Sequence, residues 1–171
     1  MLDYKITNIS LSDINVIKKT YMLGNENKGN DPNNPYNERS DMSDYNRNLV
    51  NGKTFFCDTN NTELIEVIKK NIEIDDKHYI SNIHYINYGV GHKAKKHDDL
   101  SSAVRTYIIL LSDNFKGGEF RIEDQLVEFK IGDILEFDSA LKHEVNLITE
   151  GSREVLVIWM SWNKKKDKSL L

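Results

Sequence analysis

Residues Thr106 to Leu111 read TYIILL, apolar at successive positions rather than at alternate ones. Neighbouring residues of a strand face opposite sides of its sheet, so a strand like this is covered on both faces. One face needs a second sheet and the other needs something packed behind it. Two earlier helical stretches are the natural backing. In residues 12–23 Ile14, Ile17 and Tyr21 fall near one helical face, with Ser12 as the expected N-cap. In residues 61–72 Leu64, Ile65, Ile68 and Ile72 turn inward behind Asn60 or Asn61.

Most of the remaining pattern is strand. Residues 2–8 alternate tolerably, and ISNIHYINYG runs from Ile80 to Gly89. GGEFRIEDQLVEF reads as a hairpin turned at Glu123-Asp124, with Phe120 and Ile122 alternating against Glu119 and Arg121. IGDILEF, KHEVNLI and SREVLVIWMSW follow. Some eight short strands behind two helices, without an internal repeat, fit a mainly β jelly roll, a double-stranded β-helix. A chain of 171 residues is one domain of ordinary size, with its core expected at about 79–162.

Gly24 to Gly52 differs in character, with nine asparagines and both prolines, Pro32 and Pro35. That composition favours turns, so a long loop is expected. Tyr36, Met42, Tyr45 and Leu49 are spaced along it as anchors, which suits a lid over a substrate as well as it suits an inert insert. The tail 164–171 carries KKKDK and is expected to be a solvated end.

A net charge of −4 argues against a nucleic-acid backbone as partner. Cys57 is the single cysteine, so no internal disulfide can form and a reducing compartment is expected. The amino terminus lacks the apolar stretch of a signal peptide, and Val155 to Met160 is too short an apolar run to span a bilayer. The expectation is a soluble, intracellular (cytoplasmic) protein with no membrane partner. Oligomeric state is not legible.

The chemistry concentrates between Tyr88 and Arg153. His97 and Asp99 form an H-x-D pair, and residues i and i+2 of an extended segment share a face, so both can reach one metal ion while Asp98 points away. His143 supplies a third ligand. Two imidazoles and one carboxylate on one side of an ion leave the opposite positions open, an arrangement suited to non-haem Fe(II). Arg153 follows His143 by ten residues and shares an inward strand face with Val155, Val157 and Trp159. An unpaired guanidinium inside a barrel costs several kcal/mol, so an internal acid or a bound anion must meet it. His78, His84 and His92 have no ligand spacing and read as structural.

The ordered set YGVG, HDD, FKGGEF, KIGDILEFDSALKHEV and GSREVLVIW resembles the 2-oxoglutarate/Fe(II)-dependent dioxygenases, and within them the prolyl 4-hydroxylase-like branch. The resemblance covers about residues 85–160. It implies a jelly-roll enzyme with Fe(II) on His97, Asp99 and His143. It places the 2-oxoglutarate carboxylate on Arg153 and the Tyr88 hydroxyl close to that co-substrate. O2 is the second co-substrate and ascorbate an auxiliary reductant. It further implies hydroxylation of a C–H bond, first of all in a prolyl residue of a protein or peptide, with 2-oxoglutarate decarboxylated to succinate and CO2.

Alternatives stay open on the residues alone. A free amino acid or another small molecule is the second substrate class, and a nucleobase the third. Where relatives place a tyrosine on the strand after H-x-D this chain has TYIILLSDN, which leaves the direction of Tyr107 undecided. From other classes come a catalytically silent jelly-roll binding module and a cupin-like metalloenzyme that does not use 2-oxoglutarate. Retention of His97, Asp99, His143 and Arg153 together weighs against both.

Overall fold

The structure is a computed structural model that describes residues 3–26, 53–57, 59–101 and 103–163. In chain order its elements are β1 (Tyr4–Asn8), α1 (Leu11–Glu26), β2 (Lys53–Phe56), α2 (Thr62–Asn71), β3 (His78–Gly89), β4 (Ala94–His97) and β5 (Arg105–Leu110). There follow β6 (Phe115–Gly117), β7 (Phe120–Ile122), β8 (Gln125–Val127), β9 (Asp133–Asp138), β10 (His143–Val145) and β11 (Ile148–Trp162). The larger sheet has the order β1-β9-β5-β11-β3-β2, with β6 also paired to β11, and the smaller is β4-β10-β7-β8. The pairings are antiparallel. This is the jelly roll with two backing helices that the pattern predicts.

The doubly apolar strand behaves as its sequence requires. Ile108 and Leu110 enter a core between the sheets with Phe120, Ile122, Val127 and Val145 of the smaller one. Tyr107, Ile109 and Leu111 face the other way, into a core with Ile14, Ile17, Leu64 and Ile68 of the helices. Each fully buried aliphatic side chain is worth about 1.5–3 kcal/mol relative to exposure, so both interfaces are held by several such residues. Tyr107 is thereby settled. It lies on the helix side and not in the barrel interior.

The helix starts differ in detail from the expectation. Ser10, not Ser12, caps α1: its Oγ accepts from the Asp13 amide at 3.1 Å, placing Leu11 as the first helical residue. The helix then runs through Gly24 to Glu26, taking three residues from the segment read as loop. The rest of that loop, 27–52, and the tail 164–171 lie outside the described residues. Asn61 caps α2, accepting from the Leu64 amide at 3.1 Å. Asp13 clasps the two helices together, meeting Lys70 at 3.0 Å and Asn71 at 3.1 Å.

Eleven strands are described rather than about eight, because short pieces such as β2 and β6 are only three or four residues long. Such lengths leave too little alternation to read. The hairpin at Glu123-Asp124 is as expected: Ile122 pairs with Gln125, and the two turn residues have φ of 47° and 68°. Positive φ at both positions is the two-residue turn whose twist matches its strands. Among the described residues no helix is long and apolar enough to cross a membrane.

Candidate active site

The smaller sheet brings two histidines together. His97 ends β4, His143 begins β10, and the two are direct partners in the antiparallel register. Asp99 follows just beyond the end of β4, its amide donating to the Ser139 carbonyl at 2.8 Å. His97 Nε2 lies 3.8 Å from Asp99 Oδ1, and His143 Nε2 lies 3.5 Å from Asp99 Oδ2. One nitrogen or oxygen from each of the three falls within 4.8 Å of the others, a span one ion can bridge.

The imidazoles are set for ligation. Nδ1 of His97 sits 2.6 Å from the Lys95 carbonyl, and Nδ1 of His143 sits 3.0 Å from the Leu141 carbonyl. A carbonyl only accepts, so each Nδ1 carries the proton and each Nε2 presents a lone pair. Phe137 and Phe120 pack around the His143 ring, with centroids 4.9 and 5.8 Å away. Burial pushes His143 below the ordinary histidine range, although Asp99 pulls the other way, and this favours the neutral ligand form. A set of two imidazole nitrogens and one carboxylate oxygen suits Fe(II).

The second part of the site lies on the larger sheet. Arg153 pairs with Tyr88 across β11 and β3, on the face that carries Val155 and Val157 into the inter-sheet core. It is 1% exposed, and among the described residues its Nη2 has no hydrogen-bond partner. Its guanidinium carbon lies 5.7 Å from the Tyr88 ring and 5.8 Å from Phe129, so aromatic faces flank it rather than acids. Burial lowers its pKa to about 10, which still leaves it charged at neutral pH. A buried cation with an idle N–H calls for an anion, and the fork of a guanidinium matches a carboxylate. These residues fit 2-oxoglutarate at its distal end. Burial pushes the Tyr88 hydroxyl up to about 12, so it stays protonated; its titration responds to both Arg153 and Asp99.

The loop anchors Tyr36, Met42, Tyr45 and Leu49 lie outside the described residues, whereas the other residues singled out for the site are all placed. His97, Asp99 and His143 meet, while Arg153 and Tyr88 are neighbours. Of the histidines read as structural, His92 accepts from the Gly89 amide at 3.1 Å, and His78 Nδ1 lies 2.6 Å from Asp75 Oδ1. His84 packs on Trp159, with ring centroids 4.5 Å apart. Phe129, Thr106 and Ser139 were not anticipated. Phe129 lies outside the regular strands, so parity gives it no direction. Thr106 carried a usable signal, as the one polar residue on the inward parity of TYIILL.

Residues 83–161 match the family described as the 2OG-Fe(II) oxygenase superfamily. Among solved structures, the fold is similar to a viral collagen prolyl hydroxylase from Paramecium Bursaria Chlorella virus-1 in its 2OG complex. That likeness has a TM-score of 0.63 at 15% identity, covering 92% of this chain and 94% of that one. A Pseudomonas putida prolyl-4-hydroxylase aligns with a TM-score of 0.63 at 14% identity, over 94% and 92% of the two chains. A prolyl hydroxylase from Trichoplax adhaerens, in complex with a hypoxia inducible factor peptide fragment, aligns with a TM-score of 0.61 at 16% identity, over 98% and 86%. At such identities the likeness is one of fold. No curated protein matches the sequence.

Proposed function

Residues 83–161 are a 2OG-Fe(II) oxygenase domain, and from that premise we propose that this dioxygenase hydroxylates a prolyl residue of a protein or peptide. The observation that carries the co-substrate assignment is Arg153, buried, charged and with an idle Nη2 in the barrel that also holds the His97, Asp99 and His143 cluster. In this reading His97, Asp99 and His143 hold Fe(II), while Arg153 and Tyr88 take 2-oxoglutarate. When bound, Fe(II) and 2-oxoglutarate supply the reduction of O2, coupled to decarboxylation to succinate and CO2 and to oxygen insertion into a substrate C–H bond.

The chain's own residues do the rest. The Lys95 and Leu141 carbonyls fix which nitrogen of each imidazole faces the metal position. Phe120 and Phe137 keep water from the His143 side. Arg153 grips one end of the co-substrate, which orients its other end and leaves a side of the site for substrate.

The prolyl reading draws on the solved relatives, which are prolyl hydroxylases by name. It also draws on Trp159, the direct strand partner of Thr106, which reaches Asp99. The Trp159 Nε1–H is buried and has no hydrogen-bond partner among the described residues. A prolyl residue offers an apolar ring with no N–H, flanked by carbonyl acceptors, which suits an aromatic wall with one donor to spare. The test is to incubate the protein with Fe(II), 2-oxoglutarate, ascorbate and proline-rich peptides, with free proline in parallel. Mass spectrometry should locate one added oxygen atom on a prolyl residue, together with succinate. Succinate formation stimulated by free amino acids and by no peptide would replace the prolyl-peptide substrate with a small-molecule one.

A further inference from the structure

One side chain hydrogen-bonds the Asp99 carboxylate directly, through Oδ2, and a second backs the first. Thr106 Oγ1 donates to Asp99 Oδ2 at 2.9 Å and lies 2.9 Å from Ser139 Oγ. Both hydroxyl residues are fully buried. An ionised carboxylate only accepts, and a hydroxyl has one proton to give. Thr106 gives its proton to Asp99, so Ser139 must donate to Thr106, and the chain of donors has one direction. The backbone reinforces it, because the Asp99 amide donates to the Ser139 carbonyl and the Ser139 amide to the Val104 carbonyl at 3.2 Å. Among the described residues Asp99 Oδ1 accepts no hydrogen bond and lies 3.8 Å from His97 Nε2, whereas Oδ2, 3.5 Å from His143 Nε2, already carries the Thr106 hydrogen bond.

Resting on the Fe(II) reading of the site, we propose that Thr106, backed by Ser139, is a positioning residue that engages Asp99 Oδ2 and turns Asp99 to ligate the metal through Oδ1 alone. A carboxylate that chelates with both oxygens takes up a second coordination position. One held by a single oxygen leaves that position for the co-substrate. The placement on β5 supports this role. The other inward residues of that strand, Ile108 and Leu110, are apolar, and a buried hydroxyl in such a row is costly unless it is hydrogen-bonded. Here it makes two hydrogen bonds, both within the network that ends on Asp99.

Co(II), a visible-absorbing stand-in for Fe(II), serves as the probe. It is titrated into the metal-free wild type and into Thr106→Val, Thr106→Ser, Ser139→Ala and His97→Ala, while thermal unfolding of each metal-free protein reads the fold separately. Valine keeps the shape of threonine without the donor, whereas serine keeps the donor. The expected result is Co(II) affinity weakened on the order of 10–100-fold in Thr106→Val, as for other residues that support metal ligands. Thr106→Ser should stay close to wild type, and Ser139→Ala should fall between. The visible band of the Co(II) complex should also change shape in Thr106→Val as the carboxylate turns. A folded Thr106→Val with wild-type affinity and spectrum overturns the proposal. Should Thr106→Val not fold, wild-type affinity in Ser139→Ala overturns it, and so does Thr106→Ser falling as far as Ser139→Ala. Wild-type Co(II) binding that does not depend on His97 would instead overturn the metal reading itself.

Discussion

His97 and His143 stand directly opposite each other on β4 and β10, with ring centroids 4.4 Å apart. Their pairing is part of the sheet's register, so the metal position is built into the ladder of the smaller sheet rather than carried on a loop. Replacing His97, Asp99 or His143 with Ala should therefore abolish Fe(II)-dependent turnover of 2-oxoglutarate while the chain stays folded. Succinate assays together with thermal unfolding check this. Any one variant that keeps wild-type turnover loses its residue the ligand role.

Arg153 should govern the co-substrate and not the metal. Truncating one partner of a buried, hydrogen-bonded charge pair costs roughly 2–5 kcal/mol, so Arg153→Gln should weaken 2-oxoglutarate binding well over tenfold. Arg153→Lys should retain part of it, since the charge remains but the fork does not. Co(II) affinity should hardly move in either. In the absence of co-substrate, Arg153→Gln should unfold no lower than wild type, because it removes a buried charge whose Nη2 has no hydrogen-bond partner among the described residues. Equal 2-oxoglutarate affinity in wild type and Arg153→Gln contradicts the clamp.

Gly118 presses against that clamp. Its φ is +69°, and a Cβ there would collide with Ile148 Cδ1 and meet Arg153 Cδ at 3.2 Å. Gly91 has a φ of +84° but open space around it, so Gly91→Ala carries backbone strain alone. Both alanines should destabilise by about 1–2 kcal/mol through that conformation. Only Gly118→Ala should also weaken 2-oxoglutarate binding severalfold. Calorimetric binding measured on the two variants side by side decides it, and matching affinities would mean that the Gly118–Arg153 approach does not shape the co-substrate site.

Asp13 ties the helices to each other and gives the fold a pH signature. Hydrogen bonds from Asn71 and Lys70 hold its carboxyl below the ordinary range. A depressed pKa contributes stability that is fully present above the unfolded value, about 4 for a carboxylate, and that disappears as pH falls through the folded value. Asp13→Ala should thus unfold at a lower temperature than wild type near neutral pH. The two melting temperatures should converge as the pH drops below about 4. A gap that stays constant as the pH falls well below about 4 would mean that the clasp does not act through the charged form.

The parts of this architecture that were legible in the sequence depend on local parity. H-x-D places His97 and Asp99 on one side, the face shared by Arg153, Val155 and Val157 follows from a period of two, and TYIILL declares two covered faces. What was not legible depends on register between distant strands. Thr106 meets Ser139 because β5 and β9 run alongside and β9 ends one residue before Ser139, which no local window contains. Phe129 meets Arg153 only through the closing of one sheet on the other. The Ser10 cap was missed for a smaller reason. Two serines flank Leu11, and only the hydrogen bond from the Asp13 amide to Ser10 Oγ tells them apart.

In the proposed function one barrel interior binds Fe(II) on His97, Asp99 and His143 and 2-oxoglutarate on Arg153. Its most direct test is an anaerobic titration of the metal-free protein with Fe(II), followed by 2-oxoglutarate, recorded in the visible range. A weak charge-transfer band should appear only when both are present, saturate at one equivalent of each, and be lost in His97→Ala and Arg153→Gln. A wild-type protein that binds Fe(II) but shows no band at any 2-oxoglutarate concentration would contradict it.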